Sequence, residues 1–134
     1  MNIKRQTFKK TERLCSRKII TELFESGKTY SYSHYKILWL QLDPGKIPFP
    51  AQVAFSVPKK VFRLAVVRNL IKRRMREAYR KKKYILYNSL SSDNKCIALI
   101  FIFRDTSIPT YEEIEKTMDI TINKLSSRIS EIIN

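Results

Sequence analysis

The sequence predicts a single small domain of the α+β class, with its elements in the order helix, strands, helix, strand, helix. The chain has 134 residues, which is the size of one ordinary domain. Its hydrophobic content of 43% is typical of a globular protein. Segments with helical and with strand periodicity follow one another along the chain, as in a small sheet packed by helices.

The first predicted element is an amphipathic helix over residues 12–26, which Gly27 ends. The preceding residues 1–11 are polar, basic and without a clear period, so we expect them to form a flexible basic arm. The apolar positions of the helix have the spacing of one helical face: Leu14, Ile19, Ile20, Leu23 and Phe24.

Two strands are predicted next. Residues 30–42 are rich in aromatic and β-branched side chains and favour one strand, which the turn sequence Asp43-Pro44-Gly45 ends. In residues 52–57, large apolar side chains alternate with small ones, as in a strand. Pro58 ends this second strand.

The second half of the chain predicts a basic helix over residues 65–82, a polar linker over residues 89–95 and a strand over residues 96–103. The continuous apolar run of that strand is typical of burial on both faces. A last helix reaches about residue 132. Thr110 is its predicted N-cap, and Glu113 completes a capping box.

Charge is the most unusual property of the sequence. The chain has 27 Lys and Arg residues against 12 Asp and Glu, for a formal net charge of +15. Residues 58–83 hold 12 basic residues and one acid, and residues 1–18 hold 7 and one. Such a surplus repels itself and usually exists because an acidic polymer or surface neutralises it. Its concentration in two segments indicates a binding footprint.

On a helical wheel, the basic helix has a charged face and a mostly apolar face. Arg74 is an exception, because it projects from the apolar side, where it either extends to solvent or pairs with Glu77. The apolar side consists of Val66, Val67, Leu70, Ile71, Met75 and Ala78. The other face, called the cationic stripe below, consists of Arg68, Asn69, Lys72, Arg73, Arg76 and Arg80.

A phosphate backbone is the partner that the cationic stripe favours. Like charges at (i, i+4) repel by a few tenths of a kcal/mol each, and a helix that is merely solvated would interleave acids. Arginine binds phosphate through two parallel N–H bonds. A membrane is disfavoured because the stripe lacks an aromatic rim, and DNA because the usual DNA-binding motifs are missing.

Aromatic side chains near the first strand have two possible uses. They can stack on unpaired bases, as in proteins that bind single-stranded RNA, but core packing is the more common use of any single one. The residues concerned are Phe24, Tyr30, Tyr32, Tyr35 and Trp39.

Metal and redox chemistry are not indicated. Cys15 and Cys96 imply no disulfide framework, and with His34 as the single histidine a Cys/His zinc site is disfavoured. The N-terminus lacks the apolar region of a signal peptide, and the longest apolar run is too short to cross a bilayer. We therefore expect a reduced, cytoplasmic protein without nuclease chemistry of its own.

Several runs of residues together form a specific signature: Val57-Pro58-Lys59-Lys60, Ala65-Val66-Val67-Arg68-Asn69, Ile71-Lys72-Arg73 and Arg76-Glu77-Ala78-Tyr79. Arg13-Leu14, Leu23-Phe24 with Gly27, and Ser56 support it. With these residues the chain resembles the bacterial ribonuclease P protein subunit over nearly its whole length. It departs from that family's pattern at Ile20, where many members have an aromatic residue, and at Phe62-Arg63-Leu64, a link one residue longer than usual.

The resemblance implies a fold and a function. The sheet would contain a left-handed crossover through the basic helix, against the roughly 98% of such crossovers that are right-handed. The chain would bind a catalytic RNA and precursor tRNA, and the holoenzyme would remove the 5′ leader by phosphodiester hydrolysis. The RNA would perform the catalysis with Mg²⁺, while the protein, itself a monomer that holds no cofactor firmly, would help to hold the leader.

The cationic stripe and the resemblance together predict the binding residues, none of which is catalytic or binds a metal. Arg13 and Phe24 are expected in the leader cleft between the first helix and the sheet. Another basic RNA-binding module, such as a ribosomal protein or an RNA chaperone, is the main alternative, and an autonomous nuclease is a third. The residues predicted to bind RNA are Lys59, Lys60, Arg68, Asn69, Lys72, Arg73, Arg76 and Arg80.

Overall fold

The computed structural model describes residues 8–43, 45, 47, 49–92 and 94–133. The predicted order of helix, strands, helix, strand, helix and the α+β class are confirmed. The elements are a short 3₁₀ turn Lys10–Glu12, helix α1 Arg17–Ser26, strands β1 Lys28–Tyr32, β2 Tyr35–Leu42 and β3 Ala51–Ser56, helix α2 Ala65–Ser92, strand β4 Cys96–Phe103 and helix α3 Tyr111–Ile133.

The sheet has the strand order β1-β2-β4-β3. β2 is antiparallel to β1 and β4, whereas β3 and β4 are parallel. Parallel neighbours need a connection that returns to the starting end of the sheet, and α2 provides it. The handedness that the resemblance implies for this crossover stays a prediction. β4, the last strand in the chain, lies inside the sheet and is almost entirely buried on both faces, as predicted.

Helices cover most of one face of the sheet and part of the other. Alternate side chains of β2 and β4, among them Trp39 and Phe101, belong to the core that α2 and α3 complete. On the other face, α1 contributes Leu23 to a smaller cluster with Leu38 and Ile100. Beyond α1 this face is only half-buried, at Leu40, Ala54 and Ile102.

The first helix begins later than predicted, at Arg17 rather than residue 12. The preceding residues join the sheet instead, because the Leu14 N–H donates to the Val53 carbonyl over 2.9 Å and Arg13 forms an isolated parallel bridge with Val53. The Ser16 side chain caps the helix by accepting from the Ile19 N–H at 3.3 Å. Gly27 ends it as predicted, since a Cβ there would collide with the Leu23 carbonyl oxygen.

Residues 30–42 form a hairpin, and the prediction of one strand was wrong. The chain reverses at Ser33 and His34 between β1 and β2, with Ser33 at a φ of 51°. Neither residue is the Gly or Asn that usually marks such a turn. Contacts with the end of β4 hold it: the Arg104 N–H donates to the His34 carbonyl at 2.8 Å, and His34 Nδ1 lies 2.9 Å from Asp105 Oδ2.

α2 continues ten residues past its predicted end, to Ser92, and replaces most of the predicted linker over residues 89–95. Leu86 and Leu90 are buried in the main core, and this packing outweighs the weak helix propensity of the nearby Ser and Asn residues. Asn94, at a φ of 54°, directs the chain into β4. The predicted N-cap of α3 is confirmed, because the Glu113 N–H donates to Thr110 Oγ1 at 3.2 Å.

The predicted basic arm, residues 1–11, lies mostly outside the described residues, which begin at Phe8. Phe8 itself packs edge-on against Tyr79 of α2, with ring centroids 5.9 Å apart. The 3₁₀ turn follows directly. The packed part of the chain therefore extends at least to Phe8, within the segment predicted as an arm.

A buried ion pair fixes this N-terminal segment to α2. Lys83 Nζ lies 2.6 Å from Glu12 Oε2, and the Tyr87 hydroxyl donates to the same oxygen at 3.0 Å. Glu12 is only 2% exposed and Lys83 only 5%. Since both side chains are almost fully buried, separating the pair would leave each charge with little access to water.

We expect the substitution Glu12→Ala to lower the free energy of unfolding by about 3–5 kcal/mol, because it leaves the Lys83 ammonium buried without its carboxylate. Urea denaturation measures this loss. Glu22→Ala, at an exposed position of α1, is the matched control and is expected to change stability by less than about 0.5 kcal/mol. Equal, small losses for the two variants would contradict the structural role of the pair.

Candidate RNA-binding surface

The cationic stripe begins after a short ordered link between β3 and α2. The Val61 and Phe62 N–H groups both donate to the Pro58 carbonyl at 3.2 Å. The Phe62 ring lies 6.0 Å from that of Phe103, which anchors the link to the core. Lys59 and Lys60 are exposed in this turn. The link that departs from the family pattern is thus held by its own aromatic side chain.

The predicted stripe residues differ in how far they are free to contact a ligand. Asn69 and Arg73 are exposed, whereas Lys72 is half-buried beside them. Arg68 turns back on the chain, and its Nη1 donates to the Phe62 carbonyl at 2.9 Å and to the Arg63 carbonyl at 2.7 Å. Arg68 therefore also holds the link in place.

Arg76 connects the cationic stripe to the N-terminal segment. Burial, together with the nearby charge of Arg13, lowers the pKa of its guanidinium, which nevertheless remains protonated at neutral pH. The Arg13 guanidinium lies 5.7 Å from the centroid of the Phe8 ring. Phe8 in turn packs against Tyr79 of α2, so Arg13, predicted for the leader cleft, lies near Arg76, predicted for the stripe.

At the far end of the stripe, Arg80 is partly neutralised. It forms an ion pair with Glu77, in which Arg80 Nε donates to Oε2 at 3.1 Å. This hydrogen-bonded pair raises the pKa of Arg80 and lowers that of Glu77. The suggested pairing of Arg74 with Glu77 is therefore wrong. Arg74 instead donates from Nη1 to the Pro109 carbonyl at 2.7 Å, next to the start of α3.

The apolar side of α2 is buried only from Ile71 onward. Val66, predicted to face the core, is 71% exposed because the first turn of the helix precedes the buried part of α2. A groove of about 510 Å³ remains there, lined by Val66, Val67 and Leu70 and by the stripe residues Asn69 and Arg73. Apolar and polar groups therefore meet at this end of α2.

The surface beside α1 has an apolar character. Phe24 is 61% exposed and lies one helical turn from the half-buried Ile20, so both belong to one flank of the helix. The partly covered face of the sheet, with the half-buried Ala54 and Ile102, belongs to the same cluster as Ile20. Of the other aromatics considered for base stacking, Tyr35 and Trp39 are core residues.

Within the described residues, no cluster of three or more His, Cys, Asp or Glu side chains is placed to hold a metal ion. None of the described helices is long and apolar enough to span a membrane. The side chains of this surface offer electrostatic attraction and hydrogen bonding by cations, together with apolar contact beside α1 and at the start of α2.

Comparison with known proteins matches a family model described as Ribonuclease P to residues 8–126. The ribonuclease P protein component of Porphyromonas gingivalis strain W83 is 28% identical over 120 residues, which cover 90% of this chain and 87% of that protein. The corresponding protein of Chlorobium phaeobacteroides is 32% identical over 135 residues, covering 94% and 91%.

Solved structures have the same fold. The chain is similar to the RNase P protein of Staphylococcus aureus, with a TM-score of 0.65 and 19% identity over 92% of this chain and 98% of that one. It is also similar to the RNase P protein of Thermotoga maritima, with a TM-score of 0.65 and 18% identity over 84% and 96%. The likeness in sequence and in structure thus extends over nearly the whole chain.

Proposed function

This chain belongs to the ribonuclease P protein family, whose members are the protein component of a ribonucleoprotein endonuclease that matures the 5′ end of tRNA. From this we propose how the chain contacts its RNAs. The cationic stripe of α2 binds the catalytic RNA, and the surface beside α1 binds the 5′ leader of precursor tRNA. The observation that carries this proposal is the packing of the N-terminal segment on α2. Lys83 pairs with Glu12, Phe8 lies against Tyr79, and Arg13 lies over the Phe8 ring.

The charge balance of α2 supports the first contact. Among the described residues, Glu77 is the carboxylate that pairs with a cation of the stripe, and it reaches Arg80 alone. Lys72 and Arg73 lie about one turn before Glu77, and neither pairs with a described carboxylate. Lys59 and Lys60 add positive charge at the exposed link. RNA phosphates would relieve this repulsion and accept hydrogen bonds from the guanidinium groups.

The exposure of Phe24 supports the second contact. An aromatic side chain that is 61% exposed contributes little to the core, but its ring can stack on an unpaired base of a single-stranded leader. Arg13, on the neighbouring segment, would attract the leader's phosphates. The groups that the chain contributes thus bind and orient the substrate.

Catalysis belongs to the RNA subunit in this proposal. The RNA would use Mg²⁺ for the hydrolysis of the phosphodiester bond, and the protein would strengthen substrate binding by reducing the repulsion between two polyanions. The free protein is proposed to be a cytoplasmic monomer that binds neither DNA nor membranes. Its partners are then the catalytic RNA and precursor tRNA.

Lys72→Gln with Arg73→Gln is expected to weaken binding to the catalytic RNA and to reduce its dependence on salt. Each lost phosphate contact lowers the slope of log K against log salt by about 0.7–0.9, so the double variant should lose about 1.4–1.8. Lys95→Gln with Lys116→Gln, which removes the same charge elsewhere, is the control. An equal slope in the two double variants would exclude the cationic stripe as the contact.

Processing of precursor tRNA by the cognate catalytic RNA should be faster with this chain than without it at low Mg²⁺, because the protein cations replace part of the metal's screening of phosphates. The rate of 5′ leader release measures the effect. An unrelated basic RNA-binding protein of equal charge is the control. Stimulation by this chain but not by the control would exclude a general RNA chaperone. Absence of stimulation would contradict the proposal.

Phe24→Ala should weaken the binding of precursor tRNA to the holoenzyme by about 5- to 150-fold, since stacking on one base contributes about 1–3 kcal/mol. Mature tRNA, which has no leader, should bind almost as before. Phe24→Tyr keeps the ring and is expected to retain most of the affinity. An equal loss for precursor and mature tRNA would show that Phe24 has a structural role instead.

A further inference from the structure

A second cationic surface lies at the edge of the sheet opposite to β3, between β1 and α3. Lys124 Nζ is 4.4 Å from the centroid of the Tyr32 ring, and the Arg128 guanidinium is 5.6 Å from that of Tyr30. Next to these pairs is a groove of about 360 Å³. We call it the tyrosine–cation groove; it is lined by Tyr30, Asn123, Lys124, Ser127, Arg128 and Glu131.

The secondary structure aligns these side chains. Tyr30 and Tyr32 are two residues apart on β1 and so project from the same face of the strand. Lys124 and Arg128 are four residues apart on α3 and so project from the same side of the helix, where both are exposed. Two cations therefore stand one above the other along the rim, about 6 Å apart along the helix axis.

Both cations keep their charge available. Among the described residues, neither Lys124 nor Arg128 forms an ion pair, although Glu131 lines the same groove. The nearby Asp119 instead accepts a hydrogen bond from Asn123 Nδ2 at 3.3 Å. A tyrosine ring orients a cation without neutralising it, so the groove presents two fixed positive charges to an external anion.

We propose that the tyrosine–cation groove is a second RNA-binding site, at which Lys124 and Arg128 contact successive phosphates of one strand. The Ser127 hydroxyl on the rim can donate a further hydrogen bond. This inference rests on the proposed function, because the anion that such a protein meets as a regular row of charges is RNA. Three strand spacings, or about 14 Å, separate β1 from β3. The groove is formed by β1 and α3 and the cationic stripe by α2, so the two sites share no residue.

The same cations have another possible effect, which is to protect the edge of β1. Exposed sheet edges pair with other chains unless charged side chains discourage it, and Lys28, Thr29 and Ser31 on β1 are exposed. Loss of this protection would produce self-association of the protein, whereas loss of an RNA site would change the salt dependence of RNA binding. The two effects can therefore be measured separately.

The test uses the full chain with Lys124→Gln and Arg128→Gln, and titrates the catalytic RNA and precursor tRNA separately at several salt concentrations. The slope of log K against log salt should fall by about 1.4–1.8 for one of them, and that RNA is the one bound at the groove. Lys124→Arg with Arg128→Lys should keep the slope, and so should the control Lys95→Gln with Lys116→Gln. If the double variant unfolds, Arg128→Gln alone should lower the slope by about 0.7–0.9.

An unchanged slope for both RNAs would overturn the inference, and self-association of the variant with an unchanged slope would assign the cations to edge protection. The proposed function would still hold after either outcome, provided that the wild-type chain stimulates processing and that the Lys72→Gln, Arg73→Gln variant shows a reduced slope of log K against log salt. Failure of the wild-type chain to stimulate processing would instead contradict the proposed function.

Discussion

The buried ion pair between Glu12 and Lys83 is the contact on which the arrangement of the binding surfaces depends. Lys83 belongs to the same helix as the cationic stripe, and Glu12 directly precedes Arg13. Because the pair is buried, moving the N-terminal segment away from α2 would separate two charges that have little access to water, which costs free energy. The position of Arg13 beside Arg76 follows from this constraint. The buried ion pair thus keeps Arg13 next to the cationic stripe.

α2 uses its many cations for several purposes. Arg68 and Arg74 bond to backbone carbonyls and hold neighbouring segments, while Arg80 pairs with Glu77. Lys72 and Arg73 remain for an external partner, with Asn69 exposed on the same face. The cations of this basic helix are therefore not equivalent. The charge that the fold itself does not use is concentrated near the middle of the stripe.

Features with a local cause could be predicted from the sequence. The helical period of α2 from Ile71 onward, the apolar run of β4 and the cap at Thr110 depend on residues close to one another in the chain, and all three are confirmed. The turn at Ser33 escaped prediction because its left-handed backbone occurs without Gly or Asn. Its stabilising contact, between His34 and Asp105, spans 71 positions.

The functional surfaces also divide into features with a local cause and features that depend on contacts between distant parts of the chain. The cationic stripe is a local pattern and was visible in the sequence, although the resemblance rather than the pattern gave it a particular partner. The burial of Lys83 was not visible, because its carboxylate lies 71 positions away. The tyrosine–cation groove was missed for the same reason, since β1 and α3 come together only in the fold and residues 84–134 carry no net positive charge.

RNA binding by the cationic stripe is tested most directly by isolating the tagged chain from its own cells and sequencing the RNA that remains bound. If the cationic stripe binds the catalytic RNA, one dominant RNA, the catalytic subunit of ribonuclease P, is recovered with the chain and is lost from the Lys72→Gln, Arg73→Gln variant. A mixture dominated by ribosomal RNA, equally retained by that variant, would contradict this binding.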